Sequence, residues 1–359
     1  MIFRVLSIDG GGMRGIYSAA YLDALEQSFS KKRNLPQGLD VGKGFKLIVG
    51  TSTGAIIGCG LAKGVQSAEI VKLYEKWGAA IFPKKMPKAL TLDLAQQMFT
   101  RPQYLKRGDE ALTQALKEAL GDMTVGQLWR ERNIALAVPS VNMSNYNGWV
   151  FKTPHDPKSN HRDDDYTLVD VCRASSAAPL FRSLAAVNRP KDKEFNVFAD
   201  GGLWANNPVI VSLLEALRIS ADHEDTDIEI FCLGSCGKPE GESVEKTALH
   251  RGLAEWKFGG EAAKVSIAAQ ESAFDEVANK LIRYLNKKVR IIRFPTNKIP
   301  GSMLQFLDLD ETRPQGLLAL ISQARTDADK TNSDIQYGKN DGPAIESLFN
   351  DVPERGRLP

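Results

Sequence analysis

Residues 45–64 read FKLIVGTSTGAIIGCGLAKG. The apolar run Phe45 to Val49 enters the pentad Gly50-Thr51-Ser52-Thr53-Gly54, and small and apolar residues leave it. That pattern is a buried strand, a tight turn and a helix, with Ser52 at the apex. The pentad fits the G-x-S-x-G nucleophile elbow, in which a serine sits on a strained strand-to-helix turn with its hydroxyl pointing out of the backbone. Gly50 and Gly54 let the chain bend sharply, and the helix that follows aims its free N–H groups at the reacting centre. The plainer reading is a small-residue turn packed between helices; the strand before and the helix after favour the elbow. If Ser52 is a nucleophile, some group must take its proton.

Outward from the elbow, strands and helices alternate. IFRVLSI (2–8) reads as a buried strand, DGGGMRG as a loop, and IYSAAYLDALEQSF as a helix with apolar residues at helical spacing. Ser67 is expected to cap the helix AEIVKLYEKWGAAIF. Residues 82–107 hold three prolines and many basic residues, and an irregular cover is expected there. DEALTQALKEALG is a helix that Gly121 ends. IALAVPSV reads as a strand, residues 153–166 as a polar loop, and TLVDVCRASSAAP as a helix stopped by Pro179. A short strand NVFA, a helix NNPVIVSLLEALRI and a strand IEIFCLG follow. Residues 241–288 read as mostly helical, VRIIRF as a late strand, and the stretch from Glu311 as a helix with Pro314 in its first turn. The alternation predicts an α/β domain with a largely parallel central sheet and helices on both faces. One compact domain is favoured over two, with a core at 1–240 and a mostly helical extension, 241–359, packed on it.

The bulk numbers exclude several classes. The chain has 359 residues, 43% hydrophobic and 25% charged, which suits a globular protein. A net charge of +2 offers no case for a nucleic-acid polymer as partner. Cys59, Cys172, Cys232 and Cys236 lie among apolar or small residues, and no second pair completes a zinc site, so buried thiols in a reducing compartment are expected. The apolar start of the chain is interrupted by Asp9 and the glycines, unlike a signal peptide. No window reaches about 18 uninterrupted apolar residues. A cytoplasmic protein that touches a membrane from its inner face is compatible with this, and the sequence leaves oligomerisation open.

DGGGMRG (9–15) follows the first strand and opens a helix. Gly10 to Gly15 match G-x-G-x-x-G, but that fingerprint expects a second strand ending in Asp or Glu roughly 20 residues on, and the next clear strand ends in GTSTG. The other reading is an oxyanion hole, with consecutive glycines exposing N–H groups and Arg14 adding charge beside them. A tight turn with no ligand is the bland one.

For the proton, a triad needs a histidine. His155 and His161 lie in the polar loop, His223 in a charged connection and His250 in a charged helical stretch, and each reads as a solvated surface residue. A metal site from His155, His161 and Asp163 to Asp165 matches no usual spacing. Asp200 is different. It ends the strand NVFA, where open α/β sheets put their sites, and Gly201 and Gly202 clear the space beside it. A carboxylate with an ordinary pKa of about 3.9 becomes a better base when partly buried. The alternative for Asp200 is a plain Asp-Gly turn.

DGGGMRG, GTSTG and ADGG (199–202), in that order, resemble the patatin-like phospholipases, as do ASSAAPLF (174–181) and FCLGSCG (231–237). The resemblance covers about residues 4–240, with a weaker echo in LQFLDLDETRPQGLLALISQA. It implies a three-layer α/β/α sandwich and a Ser-Asp dyad, Ser52 as nucleophile and Asp200 as base. It also implies that Gly10, Gly11 and Gly12 form the oxyanion loop with Arg14 beside it. The activity implied is hydrolysis of fatty acyl esters of membrane phospholipids, with no cofactor and no metal. Ala55 departs from the further glycine many relatives carry. Within the family, the chain resembles the cyclic-dinucleotide-activated effectors of bacterial antiphage signalling. The basic stretches PKKMPK (83–88) and LNKKVRIIR (285–293) are candidates for the anionic messenger or for an anionic membrane surface; the bland reading of both is a solvated basic face.

Two other functions compete. A Ser-Asp-His esterase on soluble esters would use His223 or His250, which follow Asp200 in the chain. A nucleotide-binding regulatory module would use residues 10–15 as a phosphate loop. LFRSLAAV (180–187) and AAIFP (79–83) are candidates to dock a lipase on membrane, and either also suits a core.

Overall fold

Along β1 (Ile2–Ile8), Leu6 and Ile8 enter one apolar cluster and Val5 the other, so the strand is buried on both faces. That is the pattern of a central strand in a parallel sheet covered by helices on each side. The computed structural model describes residues 2–86, 92–156, 158–190, 194–223, 225–236, 244–246, 249–252, 256, 260–296 and 298–356, without the side chains of 92–96 and 98. In chain order, β1 is followed by α1 (Gly15–Lys32), β2 (Leu47–Gly50), α2 (Thr53–Lys63), α3 (Ser67–Ile81), α4 (Leu92–Leu120), α5 (Val125–Arg132), β3 (Ala135–Asn142) and β4 (Asn147–Lys152). Then come α6 (Leu168–Ser175), β5 (Ala185–Asn188), β6 (Phe195–Asp200), α7 (Gly202–Ala205), α8 (Val209–Ile219), β7 (Asp227–Leu233), α9 (Gly260–Leu281), β8 (Val289–Phe294), α10 (Pro314–Gln336) and α11 (Gly342–Asp351).

The sheet has eight strands in the order β5-β6-β3-β2-β1-β7-β8, with β4 paired to β3. β3, β2, β1, β7 and β8 are mutually parallel, while β4 and β6 pair antiparallel with β3 and β5 pairs antiparallel with β6. One face carries α1, α2, α3, α4, α6, α10 and α11; the other carries α8 and α9. This is the three-layer α/β/α sandwich that was expected. The described residues of 241–359 contribute α9, α10 and α11 and also complete the sheet, since β8 pairs with β7 and α10 lies along α1.

Several expectations change. The region expected to be an irregular cover is helical from Leu92, and α4 runs through Pro102 without ending there. Ser67 is the first helical residue, not the cap; Gln66 holds that position without a side-chain bond, and Ser67 is buried. β4 and β5 were not anticipated. α6 ends at Ser175, short of Pro179, because the carbonyls of Ser175 and Ala177 turn to accept the N–H groups of Gly201 and Asp200. Gly121 ends α4 at φ 58°, and Pro314 opens α10, as the sequence predicts.

Candidate active site

β2 ends at Gly50, and the chain turns through Ser52 at φ 57° and ψ −121° into α2. A non-glycine residue there stores strain of order 1–3 kcal/mol, which the surroundings must hold. Thr51 Oγ1 donates to the Ala205 carbonyl at 2.6 Å. The Ser52 N–H donates to Ser175 Oγ at 2.9 Å, and Ser175 Oγ donates to the Pro139 carbonyl at 2.6 Å. Gly54 lies against the Ile8 carbonyl so closely that a Cβ would collide with it. The elbow read from the sequence is therefore present, braced from β3 and α6.

The sheet brings Asp200 to it. Ala137 of β3 pairs with Val49 of β2 and Lys152 of β4, while Ser140 pairs with Asp200 of β6 and Trp149 of β4. β4 thus occupies one edge of β3 throughout, and β2 and β6 share the other edge. They point toward each other, so their carboxyl ends meet. Ser52 Oγ donates to Asp200 Oδ2 at 2.7 Å, and the Gly202 N–H donates to Asp200 Oδ1 at 2.6 Å. Ser52 is 8% exposed and Asp200 5%. Burial pushes the Asp200 carboxyl up to about 6, against the pull of the Ser52 and Gly202 hydrogen bonds and the charge of Arg182. The result is a hydroxyl bonded to a carboxylate that is ionised at neutral pH and more basic than usual.

The glycine loop closes over the elbow. Asp9 N–H donates to the Leu233 carbonyl at 3.0 Å, continuing the ladder of β1 with β7. Ser235 Oγ donates to the Gly10 carbonyl at 2.8 Å. Met13 N–H donates to the Leu309 carbonyl at 2.8 Å, and Arg14 Nε donates to the Gly11 carbonyl at 3.3 Å. A Cβ on Gly10 would stand 3.3 Å from the Ser52 Cβ and would collide with the Asn206 side chain, so only glycine lets the loop come this near. One expected donor is corrected. The Gly10 N–H is taken by the Asn206 carbonyl at 2.9 Å, whereas the Gly11 and Gly12 N–H groups have no partner among the described residues. Those two amides are free to bind a developing oxyanion.

No histidine hydrogen-bonds to Ser52 or Asp200 among the described residues. His223 and His250 are exposed, and His161 is an exposed partner of Asp164. His155 is not the solvated residue expected. It is buried beside Trp129, with Nδ1 at 2.7 Å from Thr153 Oγ1 and Nε2 at 3.1 Å from Glu215, because a polar loop that covers the sheet must bury some of its groups in pairs. Among the described residues no cluster of His, Cys, Asp or Glu has the makings of a metal site. The four cysteines are buried free thiols.

The basic stretches are solvated only in part: the Lys288 and Arg290 side chains are exposed, while Lys85 and Arg293 are half-buried in ion pairs. Lys85 pairs with Asp308 and Glu311 at 2.9 Å each, and Pro87 and Lys88 lie outside the described residues. Lys288 pairs with Asp227, Arg290 with Asp341, and Arg293 with Asp9 and Asp275. The motifs ASSAAPLF and FCLGSCG hold Ser175 and Ser235, braces of the elbow and loop that no local pattern marks, and Asn206 has no signal but its place after ADGG.

Residues 6–213 match the family described as patatin-like phospholipase. A cGAMP-activated phospholipase of Vibrio cholerae is 30% identical over 330 residues, covering 90% of this chain and 89% of that protein. A cGAMP-activated phospholipase of Pseudomonas aeruginosa is 32% identical over 281 residues, 78% of this chain and 75% of that one. A cUMP-AMP-activated phospholipase of Escherichia coli is 28% identical over 244 residues, 67% of each.

Proposed function

The chain belongs to the patatin-like phospholipase family, and from that premise we propose that it is a serine lipid acyl hydrolase working through Ser52 and Asp200. The observation that carries this reading is the 2.7 Å bond from Ser52 Oγ to Asp200 in a site where no histidine touches either residue among those described. Ser52 Oγ attacks the acyl carbonyl as its proton passes to Asp200. The carbonyl oxygen takes the negative charge and is met by the Gly11 and Gly12 N–H groups. The tetrahedral centre collapses, the ester C–O bond breaks, and Asp200 returns the proton to the leaving alcohol. Water then gives a proton to Asp200 and attacks the acyl-Ser52 ester, the bond to Ser52 Oγ breaks, and Asp200 returns the proton to Ser52 Oγ as the fatty acid leaves.

The substrate is the acyl ester of a membrane phospholipid, met at the inner face of the membrane from the cytoplasm. Among the described residues no helix is long and apolar enough to cross a membrane. Leu180 and Leu184 are 54% and 47% exposed on the turn whose Ala177 carbonyl binds the Asp200 N–H, which suits peripheral contact beside the site. A cyclic dinucleotide switches the enzyme on, as the names of its relatives say of them, and the role we assign to that switch is antiviral defence.

The test is fatty-acid release from phospholipid vesicles, with and without cGAMP and cUMP-AMP. Wild type is expected to release fatty acid, and Ser52→Ala and Asp200→Asn to lose on the order of 10⁴-fold. His223→Gln and His250→Gln are expected to retain full activity; loss in one of them would make it a triad. Release that survives Ser52→Ala would sink the nucleophile assignment. Wild-type activity that no dinucleotide raises would remove the switch and leave the lipase.

A further inference from the structure

The stretch LNKKVRIIR ends in a residue that the reaction above does not use. Arg293 lies on β8, paired in register with Cys232 of β7 and outside the residues that match the family. Its Nη1 donates to Asp9 Oδ2 at 2.7 Å, and Asp9 is the residue immediately before Gly10. Its Nη2 donates to Asp275 Oδ1 of α9 at 2.7 Å. The same Asp275 oxygen accepts from Asn207 Nδ2 at 2.6 Å. The neighbouring Asn206 donates its side-chain amide to Glu271 of α9, and its carbonyl accepts the Gly10 N–H at 2.9 Å. α9 therefore reaches the glycine loop by two routes, through Arg293 and Asp9 and through the 206–207 turn.

Asp9 is 5% exposed, and its second oxygen is buried with no hydrogen-bond partner among the described residues. Burial pushes its carboxyl up to about 6, and the Arg293 charge is the largest pull in the other direction. A buried carboxylate without its cation shifts or takes up a proton, and the backbone attached to it moves too. That backbone leads within three residues to Gly11 and Gly12, whose N–H groups must already stand where the oxyanion forms.

We propose that Arg293 is a positioning residue for the oxyanion loop: by tying Asp9 to Asp275 it holds the Gly11 and Gly12 amides in their working place. Arg293 touches no reacting atom, so its effect falls on turnover and not on substrate binding. The inference rests on the Ser52–Asp200 reading.

The experiment is steady-state hydrolysis of p-nitrophenyl butyrate by the full chain, with the cyclic dinucleotide that raises wild-type turnover, or none where none does. Arg293→Gln is expected to lower kcat by about 10- to 100-fold with KM changed less than about threefold, somewhat below the ~10²–10³ loss of an oxyanion donor itself. Arg293→Lys is expected to restore part of it. Inhibition by a trifluoromethyl ketone, which forms a tetrahedral oxyanion on Ser52, is expected to weaken in step with kcat; a merely structural contact would leave it unchanged in the folded fraction. If Arg293→Gln does not fold, Asp275→Asn carries the test from the other end of the bridge, with a severalfold drop in kcat expected. A folded Arg293→Gln or Asp275→Asn with wild-type kcat and ketone affinity overturns the proposal. Turnover that does not depend on Ser52 sinks instead the reading on which it rests.

Discussion

Asp200 works between opposing pulls: burial favours its neutral form, while Ser52, Gly202 and Arg182 favour the carboxylate. With the carboxylate as the base proposed above, protonation removes activity. kcat/KM on a soluble ester is expected to hold above pH 7 and to fall about tenfold per unit as pH drops well below about 6, the value burial gives this group. An unperturbed histidine titrates nearby, at about 6.5, so the limb must also be measured in His223→Gln and His250→Gln. A limb unchanged in both assigns it to a buried carboxyl, and Asp9→Asn then separates Asp200 from Asp9, which burial also pushes up to about 6; its disappearance in either histidine variant refutes the dyad. Ser52 and Asp200 were legible as candidates because Ser52 sits on the turn just after a strand and Asp200 ends one, each beside glycines, a local pattern that marks a candidate site. Ser175, Asn206 and Arg293 were not. Their roles come from bonds such as Ser52 to Ser175 and Asp9 to Arg293, 123 and 284 residues apart in the chain, and no local pattern records such a meeting. Gly10 was misassigned for the same reason: a glycine's identity does not reveal where its N–H is spent.

Among the elements, the turn between α6 and β5 does two things. Its Ala177 carbonyl fixes the Asp200 N–H, and it leaves Leu180 at φ 71° and Leu184 exposed. Ala185 and Val187, which follow, are buried in β5. The stretch LFRSLAAV thus mixes exposed and core residues, and in AAIFP Ile81 is buried, Phe82 half-buried and Ala79, Ala80 and Pro83 exposed. If Leu180 and Leu184 dock on lipid, Leu180→Glu/Leu184→Glu is expected to lose about tenfold or more in release from vesicles and to keep wild-type turnover of p-nitrophenyl butyrate. Equal loss on both substrates would mean that the turn supports Asp200 and nothing more. Sequence periodicity did not find β5 because four residues with alternating burial are too few to stand out. It missed the first half of α4 because Pro102 reads as a breaker, although the helix accommodates it. β4 hid for another reason: its residues are mostly half-exposed, and its strand character comes from pairing along β3.

For the whole molecule, the question is whether residues 1–240 stand alone. The α/β alternation made the layers legible, but which strand neighbours which is set by pairings the sequence does not display, and β8 beside β7 is one of them. Phe294 of β8 packs on Tyr21 of α1 and Phe231 of β7, and Phe349 of α11 stacks on Phe29 of α1. Leu320, Ala324 and Ala328 of α10 and Leu348 of α11 are fully buried in the same cluster. Tyr17 of α1 donates to Asp327 of α10 at 2.6 Å. A large apolar side chain is worth roughly 1.5–3 kcal/mol when fully buried. Losing Phe294, Leu320, Leu348 and Phe349 on one side, and exposing their partners on the other, is comparable with the whole margin of about 5–15 kcal/mol that keeps a domain folded. A chain ended at residue 240 is therefore expected to show no cooperative melting by calorimetry and no folded core by hydrogen exchange, while the full chain melts as one unit. A cooperative transition in the shortened chain would mean that residues 241–359 are an extension laid on a self-sufficient core. In that case the bonds from Arg293 to Asp9 and from Met13 to the Leu309 carbonyl would be contacts that the extension makes onto a loop already formed without it.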